Sequence, residues 1–178
     1  MLLEAKAWKT LFRIFRKIMP TWPKRIRRPL GGPANAIYSY LASLLYADCL
    51  LATINVELDP SISFIYEVEK CRFSLLLDIK DIYAPLLVAN PAFMIYRRIK
   101  SRAKDYFREV RIRSKRGVYL NGFCRRLVIK AYMDYLSKDA TFLGRKMSVR
   151  SHIYWEYRRL KEHFLEEPEY VAFRLGEK

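Results

Sequence analysis

Asp78 and Asp81 stand three residues apart in the apolar stretch SLLLDIKDIYAPLLV. On a helix that spacing puts both on one face, with Cβ atoms about 5–6 Å apart. Two ionised carboxylates that close repel by roughly 3 kcal/mol at an effective dielectric of about 20. A divalent cation between them would turn the repulsion into a site for an anionic phosphate. The same spacing also describes an exposed acidic step on an amphipathic helix, and spacing alone leaves both readings open. Glu4, the single acid of a basic first helix, is a candidate third carboxylate, or else a charge favoured by the helix dipole.

The rest of the chain is basic: 34 Lys and Arg oppose 18 Asp and Glu in 178 residues, a formal charge of +16. A field of that sign attracts polyanions, nucleic acid first and an acidic membrane surface second. No acid occurs between Glu4 and Asp48, whereas Lys6, Lys9, Arg13, Arg16, Lys17, Lys24, Arg25, Arg27 and Arg28 crowd that interval. A second basic stretch runs from Arg97 to Arg116. An acidic island in a basic surface is what a metal site facing a phosphate backbone requires, although some of these charges must be ordinary solvated helix faces.

With 52% hydrophobic and 15% aromatic residues, the chain can bury a core, and its length suits one domain over residues 1–178. Cys49, Cys71 and Cys124 have neither disulfide nor zinc-ribbon spacing, which fits a reducing cytoplasm. Residues 36–54 carry one charge, Asp48. A central Asp costs roughly 2.5–3.5 kcal/mol in a membrane span, so a buried helix is the better reading.

Helical spacing of Leu3, Ala7, Leu11, Ile14, Phe15 and Ile18 predicts a helix over 2–19, ended by Pro20 and Pro23. Pro33 opens a second helix, which must end before Leu58-Asp59-Pro60. Ser74 is the expected N-cap of the helix bearing the acids, and Pro85 is expected to bend or break it. Helical spacing then predicts a helix from Phe93 to Val110, an extended segment at 117–120, and helices over 122–137 and 149–166, the last opened by Ser148 or Ser151. His152 and His163 lie on that charged last helix and read as surface histidines.

Taken in order, these features resemble the catalytic domain of the CRISPR spacer-acquisition integrases, over almost the whole chain. The matching pieces are Glu4-Ala5, Arg27-Arg28-Pro29, Asn35-Ala36, Leu44-Leu45-Tyr46, Leu58-Asp59-Pro60 and Ser63-Phe64-Ile65-Tyr66. They continue with Ser74-Leu75-Leu76-Leu77-Asp78-Ile79-Lys80-Asp81, Gly117-Val118-Tyr119-Leu120 and Arg125-Arg126. The resemblance implies an all-α domain that joins and nicks DNA with manganese or magnesium. Carried over by position, Glu4, Asp78 and Asp81 are catalytic, and Glu4, Tyr66 and Asp81 hold the metal. The cations expected to hold DNA are Arg25, Arg27, Arg28, Arg97, Arg98, Lys100, Arg102, Lys104, Arg125 and Arg126. The resemblance also implies a homodimer, a second CRISPR adaptation protein as partner, and a β-rich N-terminal domain lying outside this sequence.

Three departures bear on activity. Tyr66 stands where the family has histidine, and a phenol with a pKa near 10 is a poor ligand beside a neutral imidazole. Ala5, Glu57 and Ser63 stand where the family has glycine, which implies altered backbone there. The third, implied by the resemblance, is an expected truncation that leaves out the family's N-terminal domain. A catalytically impaired nucleic-acid-binding remnant is therefore the alternative reading, with a basic membrane-surface protein behind it.

Overall fold

The computed structural model describes residues 2–19, 25–26, 31–62, 73–112, 115–166 and 169–175, without the side chains of residues 2–4, 112 and 166. It is mainly helical, as the sequence implies: α1 (Leu2–Ile18), α2 (Pro33–Asn55), α3 (Ser74–Ala84), α4 (Asn90–Ile99), α5 (Gly122–Leu136) and α6 (Val149–Glu166). Two antiparallel hairpins are added, β1 (Phe107–Ile112) with β2 (Lys115–Leu120) and β3 (Asp139–Phe142) with β4 (Arg145–Ser148). The chain divides into two compact units, residues 1–41 with 88–132 and residues 42–87 with 133–178.

In the first unit, Phe12 and Phe15 of α1 meet Tyr38 of α2 at ring separations of 6.1 and 6.2 Å. Ahead of α2, Arg25 and Ile26 are held by one buried amide. Asn35 Oδ1 accepts from the Ile26 amide at 3.0 Å and from Arg25 Nη1 at 3.1 Å. A Cβ on Gly31 would come within 2.5 Å of Ile26, so only glycine fits that crossing.

The expected helix from Phe93 to Val110 is not found as one element. α4 stops at Ile99, a tight 3₁₀ segment covers Lys100–Asp105, and β1 begins at Phe107. The charges at helical spacing continue past Ile99, but after Tyr106 the β-branched residues Val110 and Ile112 fall at period two and pair with the Lys115–Leu120 strand. Pro85 does not break the chain of turns. With no N–H to give, it is accommodated in a wide π segment, Pro85–Ala89, leading straight into α4.

In the second unit, Leu45, Cys49, Ala52 and Thr53 of α2 are buried. By length and composition α2 could cross a membrane. Along its full length, however, Ala34, Ile37, Tyr38, Leu41, Leu45, Cys49 and Ala52 form a buried stripe at core-helix spacing. α2 ends in a Schellman turn, with Glu57 N–H on the Ile54 carbonyl (3.1 Å) and Leu58 N–H on that of Thr53 (3.2 Å). Glu57 there adopts φ 58°, so the backbone keeps the left-handed conformation that glycine favours, contrary to the expectation that replacement had altered it. Leu143 (φ 47°) and Gly144 (φ 71°) make the two-residue loop of the β3–β4 hairpin, as a type I′ turn requires.

Ser148 caps α6, accepting from the Ser151 amide at 3.2 Å. The buried stripe of α6 is Val149, His152, Ile153, Glu156, Tyr157 and Leu160. His152 is thus a core residue, not a surface one: it is fully buried, with Nε2 donating to the Ala140 carbonyl at 2.8 Å. His163 is half-buried, its ring 6.1 Å from that of Tyr170.

Candidate metal and nucleic-acid site

α3 carries the acids on a framework set by its apolar residues. Leu75, Leu76, Ile79 and Tyr83 are buried and fix which side of the helix faces the core. Ser74 is the first residue of α3 and not its cap; its Oγ donates to the Ser61 carbonyl at 2.6 Å. The Leu75 amide donates to the Pro60 carbonyl at 3.1 Å, and Asp59 organises that turn by accepting from the Ser61 amide (2.8 Å) and hydroxyl (2.7 Å). Those two donors hold the Asp59 carboxyl below its ordinary range. The Leu58-Asp59-Pro60 motif is therefore a dock for the start of the acid-bearing helix.

Asp78 is buried, 7% exposed. Asp81 is half-buried and ion-paired to Lys80 at 2.9 Å. That ammonium already offsets part of the negative charge a divalent cation would use. Behind the pair, burial pushes the Cys49 thiol up to about 12; a hydrogen bond from Tyr157 and the charge of Lys80 work the other way, and Asp48 and Asp81 reinforce the rise. In the first unit, burial alone raises Cys124 to about 11. Asp78 and Cys49 thus both lie in the buried interior of the second unit.

Carboxylate oxygens are the donors that manganese and magnesium take, so Asp78 and Asp81 suit such an ion. Among the described residues no group of three or more acids, histidines or cysteines converges to complete a site. Glu4 falls within α1, but its side chain lies outside the described residues, as does Tyr66. Sequence reasoning did not find Glu156, which is fully buried on α6 and accepts from Tyr170 Oη at 2.5 Å and the Phe173 amide at 3.0 Å. Its position within the apolar stripe of α6 was the available signal.

The expected DNA-binding cations gather in the first unit. Arg97, Arg98, Lys100, Arg102, Lys104, Arg125 and Arg126 are exposed on α4, the 3₁₀ segment and α5. Arg102 is paired with Asp105 at 2.9 Å. On the hairpin, Arg111 stands directly opposite Arg116, a like-charge pairing that an anion would relieve. Arg25 is engaged within the fold, on Asn35 and 4.8 Å over the Tyr38 ring. Arg27 and Arg28 lie outside the described residues.

Comparison with known proteins places this arrangement. The family described as CRISPR associated protein Cas1 matches residues 1–134. The chain belongs to that family. A CRISPR-associated endonuclease Cas1 of Nanoarchaeum equitans is 30% identical over 177 residues, 97% of this chain and 51% of the relative. One of Pyrococcus horikoshii is 33% identical over 149 residues, 83% of this chain and 45% of the relative. The chain spans about half the length of the curated relatives it matches. A solved Cas1 protein from Thermotoga maritima is 29% identical with a TM-score of 0.63, over 76% of this chain and 41% of its own. Two more distant structures share the fold. One is a casposase bound to an integration product, at 20% identity and TM-score 0.70, covering 82% of this chain and 42% of that one. The other is a Cas6-RT-Cas1–Cas2 complex, at 22% identity and TM-score 0.72, covering 86% and 17%.

Proposed function

We propose that this chain carries the catalytic half of a CRISPR-adaptation integrase, a divalent-metal-dependent endonuclease acting on DNA phosphodiesters in the cytoplasm. The observation that carries the reading is the acid step Asp78/Asp81 on a helix otherwise committed to the core, in a chain of charge +16. Asp78, Asp81 and Glu4 would hold manganese or magnesium, with residue 66 as the position of the missing imidazole. When bound, such an ion polarises the phosphoryl oxygen and neutralises charge in the transition state. Arg97, Arg98, Lys100, Arg102, Lys104, Arg125 and Arg126 hold the backbone, and Arg111 and Arg116 gain from an intervening phosphate.

The distant structures point to the partner classes: one is bound to an integration product, as DNA would be here, and the other is a complex with Cas2, the second adaptation component of this reading. A homodimer is part of the same reading. Tyr66 and the Lys80 ion pair favour the second reading, a DNA-binding remnant without turnover.

A manganese-supplemented nicking and strand-transfer assay on branched DNA separates the two. The enzyme reading expects activity in the parent chain, loss with Asp81→Ala and a gain with Tyr66→His. Silence of both the parent and Tyr66→His establishes the remnant.

A further inference from the structure

α3 is tied at both ends. Its first turn rests on the Asp59–Ser61 turn, and its last is held by a segment with no regular structure of its own, residues 169–175. The tie is a buried carboxylate. Glu156 accepts from Tyr83 Oη of α3 at 3.5 Å, from Tyr170 Oη and from the Phe173 amide, and it is ion-paired to Arg159. Arg159 in turn donates to the Val171 carbonyl at 2.6 Å. The Phe173 ring stacks on that of Tyr83 at 4.9 Å and 17°. An apolar cluster of the same volume would pack this corner at least as stably, so the buried charge is better understood as a device for direction. The stacked Phe173 ring, seated by its own amide on Glu156, is the main hold on the Tyr83 face of α3, and the long contact from the Tyr83 hydroxyl adds to it. At about 100° per residue, Asp81 lies about 200° around the helix from Tyr83, so fixing one azimuth fixes the other.

We propose that Glu156 and the strap 169–175 position α3, and through it the acids Asp78 and Asp81. The role given to the acids rests on the function proposed above; the pinning of α3 does not. The test uses the full chain and its Phe173→Ala, Phe173→Tyr and Leu160→Ala variants. Leu160 is a buried leucine of α6 that supplies a purely structural loss. Hydrogen exchange along α3 and titration with Mn²⁺ alone are read on each.

In Phe173→Ala, exchange in α3 should rise about tenfold more than in α6, and Mn²⁺ affinity should fall about tenfold. Phe173→Tyr should restore both. Leu160→Ala, compared at equal loss of thermal stability, should leave affinity within about twofold. Equal loosening of α3 in Phe173→Ala and Leu160→Ala overturns the proposal, as does a loosened α3 with unchanged Mn²⁺ affinity. A parent chain that binds no Mn²⁺ defeats the proposed function instead, and the exchange comparison then decides the pinning by itself. Should Phe173→Ala fail to fold, Tyr83→Phe, which deletes one hydroxyl, makes the same comparison at about threefold.

Discussion

The two units differ in the charged groups they bury. The first spreads Arg97, Arg98, Lys100, Arg102, Lys104, Arg125 and Arg126 over its surface, Arg102 paired with Asp105, and buries rings and aliphatic side chains around the amide of Asn35. The second takes polar groups inside: Asp78, Thr53, His152 and Glu156 are all buried, the last among several donors. Exposed cations cost little and attract a long polyanion from a distance, whereas buried acids are expensive and justified only where direction matters. On the function proposed above, the contrast is a division of labour, affinity on one unit and geometry on the other.

The largest test of that division removes an acid. Asp81→Ala should lower manganese-dependent nicking by about a hundredfold or more while leaving DNA affinity at low salt unchanged, since the group serves the reaction and not the hold. Equal losses in both quantities would break the comparison.

Alkali should separate the units next. Burial, then the charge of Glu156, pushes the Tyr83 phenol well above its ordinary value; burial drives the rise of Tyr157 and Tyr170 too. An unfolded tyrosine ionises near 10, so below that pH the folded chain keeps this stability in full, and it loses it progressively as pH rises toward the folded values. All three residues belong to the second unit. Circular dichroism and hydrogen exchange between pH 9 and 11.5 should therefore show that unit opening first.

Removing cations reads the first unit. The double variant Arg97→Ala/Arg98→Ala should weaken duplex binding about tenfold and flatten the log–log salt slope by about two, with metal affinity unmoved. A smaller effect belongs to Lys80→Met. Deleting the ammonium that pairs with Asp81 should tighten Mn²⁺ binding by about three- to tenfold, measured by calorimetry. The smallest is Glu57→Gly, which relieves a left-handed backbone and loses only an exposed 3.3 Å ion pair with Lys161. Unfolding in urea should show a gain of about 1 kcal/mol.

Much of this was legible because local rules governed it. Pro33, Leu58-Asp59-Pro60 and Ser148 mark element ends through backbone chemistry that needs no distant partner. The acid pair could be read from spacing on α3 because its apolar neighbours dictate the helix. The strand at Phe107 was hidden by charges that continued the helical period past Ile99, and only its pairing with the Lys115–Leu120 segment selects period two. His152 and Glu156 were hidden by the company they keep. α6 is rich in charge, yet both stand in the stripe with Val149, Ile153, Tyr157 and Leu160, and stripe position outweighs composition. The strap could not be foreseen, because it is held by side chains from α3 and α6 and has no pattern of its own.

The raised thiols give each half of the molecule its own clock. With Cys49 near 12 and Cys124 near 11, the reactive sulfur anion is nearly absent at neutral pH, so alkylation in the native state must wait for a breathing event. Because Cys124 belongs to the first unit and Cys49 to the second, a timed iodoacetamide pulse followed by peptide mass spectrometry counts the openings of each separately, without adding a probe to the chain.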